Sequence, residues 1–211
     1  MTTAGPFQVA ASADDAGEGQ DGTGFSSAKI QIEIISSRIS SSQTNGGFRF
    51  NSVNVPTGAT IDTVDFELYN INSGTNLDAD VTANLVADAA DFSTDPDVTT
   101  RIASAATVAT TLWVHGFAPV GFLGSNSSDF LDMNAIIQEI IDQAAPWVDG
   151  NDLVMLVAGT SSGGRRGDKL FPVRSYDGNA AEAARLTIDY TGGGGGPAVL
   201  ASRRLLSGTG R

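Results

Sequence analysis

The 211-residue sequence contains no cysteine, only two lysines (Lys29 and Lys169) and a single histidine (His115). Without cysteine there can be no disulfide framework, no thiolate metal site and no cysteine nucleophile. Cationic side chains are also scarce, because 12 Lys and Arg face 24 Asp and Glu, which gives a net charge of −12. Proteins that bind nucleic acid neutralise phosphates with clustered Lys and Arg. The composition therefore argues against a nucleic-acid partner.

Long apolar runs are missing as well. No segment approaches the roughly 18 consecutive apolar residues that a membrane-spanning helix needs. The first seven residues, Met1 to Phe7, lack the basic and apolar regions of a secretory signal. We therefore expect a protein that is synthesised in the cytoplasm without a signal peptide and has no membrane partner.

The sequence is instead rich in turn-forming residues and in alternating apolar positions. Its 25 glycines stand among many Ser, Thr, Asn and Asp residues, a composition typical of short strands joined by turns. Apolar and polar residues alternate over 30–34, 64–68 and 81–85, as in strands with one buried face. The continuous apolar run 153–158 predicts a central strand that is buried on both faces.

These patterns predict an all-β fold with about eight strands and one short helix. The helix is expected at 133–143, where four isoleucines at 136, 137, 140 and 141 form an apolar stripe. Residues 88–106 are expected to form a long loop, with at most a helical turn in it. Because a single sheet of eight strands would leave an apolar face in water, we predict a two-sheet antiparallel β-sandwich of jelly-roll type.

Three regions of the chain differ in composition. Residues 1–24 are polar, acidic and Gly-rich and predict a flexible N-terminal arm, whereas residues 25–190 carry the sandwich. Residues 191–211 predict a Gly-rich C-terminal arm with three arginines and no acid, opposite in charge to the rest of the chain. The predicted partner-binding residues lie in this arm and are Leu200, Arg203, Arg204, Leu205 and Leu206.

The order of several motifs resembles a known family of domains. The motifs are Phe48-Arg49-Phe50, the stretch 55–61 with Pro56-Thr57-Gly58, the strand 64–69, the helical segment 132–143 with Trp147 after it, and the strands 151–156 and 184–190. Together they resemble the carbohydrate-binding-module-like jelly rolls of the DNRLRE type over about residues 45–190. The resemblance implies a binding or structural module of a surface protein, and similar modules are found in phage structural proteins.

Candidate catalytic and metal-binding patterns are weak. The stretch 159–163 matches the Gly-x-Ser-x-Gly nucleophile elbow, but turn-forming residues follow it and His115 precedes the serine instead of following it. Hard cations such as calcium bind closely spaced carboxylates. Two stretches are therefore calcium candidates, Asp149 with Asn151 and Asp152, and Asp14 with Asp15, Glu18 and Asp21. Both stretches are more simply explained as turns, and we predict no enzyme activity and no required cofactor.

The expected function is that of a non-enzymatic virion structural protein, synthesised in the host cytoplasm and placed on the outer surface of the particle. Its most specific form is a phage capsid decoration or cement protein that binds the major capsid protein through its arms and the sandwich surface, as a homo-oligomer such as a trimer. The alternative is a carbohydrate-binding or receptor-binding module, which would need an exposed aromatic platform. Only Trp113, Trp147 and three tyrosines are available for it, and Trp147 is expected to pack against the helix that it follows.

Overall fold

The computed structural model describes residues 1–36, 43–94, 97–124, 132–143, 147–160 and 169–193. Within these residues the chain forms eleven strands and two α-helices. The strands are β1 (Thr2–Gln8), β2 (Asp15–Gly19), β3 (Gln31–Ser36), β4 (Thr44–Phe50), β5 (Ala59–Asn70), β6 (Thr75–Ala83), β7 (Thr111–Ala118), β8 (Gly121–Gly124), β9 (Leu153–Gly159), β10 (Lys169–Arg174) and β11 (Arg185–Gly192). The helices are α1 (Val98–Ala105) and α2 (Asn134–Ile141), and short 3-10 turns occur at Ser12–Asp14 and Ala180–Glu182.

The strands form two layers in which every pair is antiparallel. One layer has the order β1, β11, β5, and both β8 and β10 lie along the far edge of β5. The other layer has the order β2, β4, β9, β6, β7. The ribbon of β3 and β10 connects the layers, since β10 meets β5 only at Val173 and Asn70, and β3 meets β4 only at Ile35 and Thr44.

Aromatic packing shows that the two layers face each other. The ring of Phe66, on β5 of the first layer, lies 5.8 Å from Phe48 and 6.1 Å from Phe50, both on β4 of the second layer. It also lies 6.0 Å from Trp113 on β7, and all four side chains are fully buried. The predicted all-β antiparallel sandwich is therefore confirmed, with its main core between the layers.

Strand β9 is buried on both faces, as the apolar run 153–158 predicted. Leu153, Met155 and Val157 point into the main core. Val154 and Leu156 point the other way, into a second cluster with Phe92 and Val98. Helix α1 and the segment before it thus cover the outer face of the second layer over β9.

The predicted numbers of strands and helices were too low. The three additional strands are β1, β2 and β8, and the additional helix is α1. Strand β2 reads Asp-Ala-Gly-Glu-Gly, which has no apolar alternation, and its backbone pairing with β4 defines it instead. The expected loop 88–106 contains α1, whose N-cap Asp97 accepts a hydrogen bond from the Thr100 backbone N–H.

The predicted flexible arm at residues 1–24 is wrong. Strand β1 pairs with β11 from Thr2 to Gln8, and β2 pairs with β4 from Asp15 to Gly19. Ala4 and Val9 belong to the main core, so these residues are held by backbone pairing and burial despite their polar composition. At the other end β11 extends to Gly192, so part of the predicted arm 191–211 lies in the sheet, and residues 194–211 lie outside the described residues.

The predicted isoleucine helix is confirmed as α2, and its four isoleucines are buried in the main core. Two consecutive polar residues of α2 bind segments on either side of it. Gln138 accepts a hydrogen bond from the Ile61 N–H at 2.9 Å and donates one to the Ala59 carbonyl at 3.1 Å. Glu139 accepts the N–H groups of Val108 and Ala109 at 2.9 and 2.8 Å. Neither described helix is long and apolar enough to cross a membrane.

Candidate functional site

A cleft of about 540 Å³ lies on the outer face of the second layer, next to the area that α1 covers. Its floor is formed by outward-facing residues of β6 and β9, among them Asp80, Thr82 and Ala158. The alternation along β6 fixes this arrangement, since Leu77, Ala79 and Val81 fill the core and the residues between them must face outward.

The walls of the cleft come from separate parts of the chain. Ile102 and Ala106 belong to α1 and its C-terminal end, the segment 107–110 follows, and Gln20 and Gln43 close the opposite side. Hydroxyl, amide and carboxylate groups thus line the cleft together with a few aliphatic side chains. No lining residue is aromatic. Such a site can hydrogen-bond a polar ligand but offers no ring for stacking.

Among the described residues, Asp80 is the only charged side chain that lines the cleft. Partial burial, followed by the negative charge of neighbouring Asp78, raises its pKa above the ordinary value of an aspartate. No hydrogen bond or ion pair joins its carboxylate to any side chain in the described part of the chain. The cleft therefore contains a carboxylate that a cation or a hydrogen-bond donor would stabilise.

Apolar side chains border the cleft along β7. Val108, at the rim, is 88% exposed, and Leu112 and Val114 on β7 are 51% and 38% exposed. In the pairing of β6 with β7, Leu112 lies opposite Asp80 and Val114 opposite Asp78. We name the surface formed by Val108, Leu112, Val114 and Asp80 the β7 face. It places an apolar row directly beside the carboxylate of Asp80, which forms an ion pair with no cation among the described residues.

The predicted calcium stretches form a buried ion-pair network instead. The structure brings Asp14 and Asp152 together, but around the guanidinium of Arg49, whose Nη1 lies 2.6 Å from Asp14 Oδ1 and whose Nη2 binds Asp152 Oδ2. Arg49 Nε also donates to the Ala89 carbonyl at 2.8 Å, and Asp152 Oδ1 accepts the Ser52 N–H at 2.7 Å. These carboxylates are already neutralised by a cation of the protein itself.

The remaining members of the two stretches also serve local structure. Glu18 accepts the Thr99 N–H at the start of α1, and Asp21 binds the hydroxyl and N–H of Thr23. Asn151 donates to the Ala87 carbonyl, while Asp149 is exposed in a turn. Among the described residues, no group of three or more His, Asp or Glu side chains is placed to hold a metal ion.

Among the described carboxyl groups, Asp15 has the largest pKa shift. It is 1% exposed, its Oδ2 accepts the Tyr176 N–H at 2.7 Å, and its buried Oδ1 has no hydrogen-bond partner among the described residues. Burial, and then the charges of Asp177 and Asp14, raise its pKa to about 7 although the Tyr176 N–H lowers it. This hydrogen bond holds β2 against the turn after β10, so Asp15 serves to connect these two segments.

The other predicted site residues are only partly described. Gly159 ends β9 and Thr160 donates to Asp78, but the rest of the stretch 159–163 lies outside the described residues. His115 is half-buried on β7, with Nδ1 3.2 Å from the Gly116 carbonyl oxygen. The predicted partner-binding residues Leu200, Arg203, Arg204, Leu205 and Leu206 also lie outside the described residues, so their role stays a prediction.

Neither tryptophan forms an aromatic platform, and Trp147 is packed in the core as the sequence predicted. Trp113 and Trp147 are both fully buried, and Trp147 Nε1 donates to the Val55 carbonyl at 2.8 Å. A partly exposed aromatic pair lies elsewhere, on the outer face of the first layer, where Tyr69 and Phe122 meet edge to face at 5.1 Å. The Arg185 guanidinium lies 3.8 Å from the centre of the Phe122 ring. It therefore covers the ring face on which a sugar would stack.

Sequence reasoning missed the cleft because its residues come from five separate segments and share no motif. The alternation that predicted a strand at 81–85 did not include Asp78 or Asp80. It carried no information on which other segments would surround them. Comparison with known proteins adds no constraint here, since no protein-family model and no curated protein matches the chain.

Proposed function

We propose that the protein is a non-enzymatic structural protein of a virus particle, most specifically a decoration protein on the outer surface of a phage capsid. In this proposal the sandwich is the displayed body, and the C-terminal residues attach it to the major capsid protein. The proposal combines the resemblance to phage-associated jelly-roll modules with the position of the chain ends.

The observation that carries the proposal is the pairing of the first and last described strands. Thr2 on β1 lies opposite Tyr190 on β11, so both ends of the described chain leave the sandwich at the same side. Gly192 in turn pairs with Ala59 at the start of β5. A body that presents both ends on one side can be attached there while the opposite end stays accessible.

Charge supports the same arrangement. The chain as a whole carries −12, whereas residues 191–211 contain three arginines and no acidic residue. Arg203 and Arg204 can form bidentate pairs with carboxylates on a partner, and Leu200, Leu205 and Leu206 can bury apolar area next to them. An acidic body with a basic, apolar end is suited to bind a partner through that end only.

The test is incorporation into particles of the virus whose genome carries this sequence. Particles lacking the protein are incubated with the full chain or with a chain that ends at Gly193, and bound protein is measured after sedimentation. We expect the full chain to bind saturably and the shortened chain to lose at least tenfold in affinity. Absence of the full chain from purified native particles would overturn the proposal.

A carbohydrate-binding function is the second candidate, and the cleft favours it. Hydroxyl, amide and carboxylate groups around about 540 Å³ suit the hydroxyls of a sugar. The glycan array that tests it should show binding by the full chain that is lost in Thr82→Val, a variant that removes a floor hydroxyl without changing shape. A control variant is Thr187→Val on β11, outside the cleft. No binding above background would remove this candidate.

A further inference from the structure

The β7 face exposes several large apolar side chains to solvent. Val108, Leu112 and Val114 are three of the eight large apolar side chains that are exposed in the described residues. Leu112 and Val114 alternate on one strand and therefore point to the same side. Contiguous apolar surface bordered by polar groups is typical of a contact surface.

Asp80 gives this surface a charge preference. Its carboxylate lies opposite Leu112 in the register of β6 and β7, and no cationic side chain among the described residues pairs with it. Burial and the charge of Asp78 disfavour the ionised form of Asp80. A cation that binds beside this carboxylate would stabilise the ionised form. The surface thus calls for an occupant that has apolar side chains and a positive charge.

One segment of the same chain has this chemistry. Residues 198–206 read Ala-Val-Leu-Ala-Ser-Arg-Arg-Leu-Leu and contain two arginines and no acid. In an extended chain alternate residues point to one side, so Leu200, Arg204 and Leu206 would share a side. That order of apolar, cationic and apolar groups matches an apolar row beside a carboxylate.

The segment can reach the surface. Gly192 pairs with Ala59, whose carbonyl binds Gln138, and the next residue of α2, Glu139, binds the N–H of Val108. Gly192 and the β7 face are therefore separated by one helix, whose diameter with side chains is about 10–12 Å. The six residues 194–199 span up to about 20 Å when extended. The connection is long enough to pass α2.

From this geometry we infer that residues 198–206 dock on the β7 face of their own chain, with Arg204 paired to Asp80 and Leu200 and Leu206 packed on Val108, Leu112 and Val114. The contact shields the apolar row of the free protein and holds the predicted attachment segment until a partner competes for it. The inference concerns the free protein and does not depend on the identity of that partner.

The absence of cysteine allows a direct test, because Ser207→Cys creates a single site for a nitroxide spin label. Paramagnetic broadening of amide signals is then measured in the full, ¹⁵N-labelled chain. We expect strong broadening at Val108, Thr110, Leu112 and Val114, with little at Tyr69 on the opposite layer. Broadening should fall at least threefold in Arg204→Ser and in Asp80→Asn, and it should persist in the control Arg211→Ser.

A second sample separates docking within one chain from docking between chains. Spin-labelled protein at natural nitrogen abundance is mixed with ¹⁵N-labelled protein that carries no spin label. Broadening of the β7 face in this mixture would show that another copy is the occupant and would overturn the inference. It would also be overturned by an unbroadened β7 face in the labelled chain, or by broadening that both charge variants leave unchanged. None of these results bears on incorporation into particles, which the sedimentation experiment tests separately.

Discussion

At the scale of single residues, Asp15 makes stability depend on pH. Its pKa is about 7 in the folded chain against 3.8 ordinarily, so between these values the folded state binds a proton that the unfolded chain has lost. The contribution of Asp15 to stability therefore falls as pH rises from about 4 to 7 and changes no further above that range. The shift corresponds to a loss of up to about 4 kcal/mol.

Asp15→Asn should remove this dependence, because an amide resembles the protonated carboxyl. We expect the variant to be more stable than the parent at pH 8 and similar at pH 4.5. Urea unfolding followed by the fluorescence of the two buried tryptophans measures the difference. Asp189→Asn is the control, since the hydrogen bonds from Thr3 and Thr63 lower the pKa of that exposed carboxyl. Parallel pH profiles of parent and Asp15→Asn would contradict the assignment.

Arg49 is expected to be the most important ionic side chain for stability. Arg49→Met leaves Asp14, whose side chain is 3% exposed, and Asp152 without their cation. Removing one partner of a buried pair costs about 3–5 kcal/mol. Arg174→Met is the matched control, because the pair with Glu182 is 28% and 26% exposed and should contribute less than about 1 kcal/mol. Equal losses in urea unfolding would show that burial is not the cause.

At the scale of elements, the corner where β9 passes β3 and β4 requires a glycine. A Cβ atom at position 159 would lie 2.1 Å from the Ile35 carbonyl oxygen and 3.0 Å from that of Thr44. Both neighbours are backbone atoms, which cannot move aside alone. Gly159→Ala should therefore lower the free energy of unfolding by about 1–3 kcal/mol or more.

Gly116 on β7 provides the comparison for that substitution. The nearest atom to a Cβ there is Asn76 Oδ1 at 3.7 Å, an ordinary contact distance. Gly116→Ala should leave the free energy of unfolding within about 0.5 kcal/mol of the parent value. If both alanine variants unfold at the same urea concentration, close packing at Gly159 is not limiting.

The elements that the sequence predicted are those with a side-chain period. Strands β3, β5, β6 and β9 and helix α2 have alternating, continuous or helical apolar patterns, and the sequence predicted each of them. Strand β1 contains Gly5-Pro6, β2 is Gly- and Asp-rich, and β8 has only four residues, so none of them shows a clear alternation of apolar and polar side chains. These strands form because their backbones pair with strands that are distant in sequence. The cleft was unpredictable for the same reason, since Gln20, Thr82 and Thr160 meet only through the folded sheets.

At the scale of the whole molecule, the N-terminal strand is part of the folded unit. A chain that begins at residue 9 loses β1, including buried Ala4 and the partly buried Phe7. Loss of this apolar burial should cost about 2–3 kcal/mol and expose the edge of β11. The measurement is urea unfolding, with a chain that ends at Gly193 as the control. The control should lose less stability, because it keeps every described strand, and an equal loss in both chains would support a flexible N-terminal arm.

The neighbouring positions of Thr2 and Tyr190 have a consequence for the connectivity of the chain. A peptide linker of a few residues could join Gly193 to Met1, and new ends could be opened in the exposed turn at Asn72–Gly74 between β5 and β6. Such a circular permutant would keep every strand pair while its ends emerge at the other end of β5. The sandwich would then accept a fused domain at either end, and its orientation relative to an attached partner could be reversed.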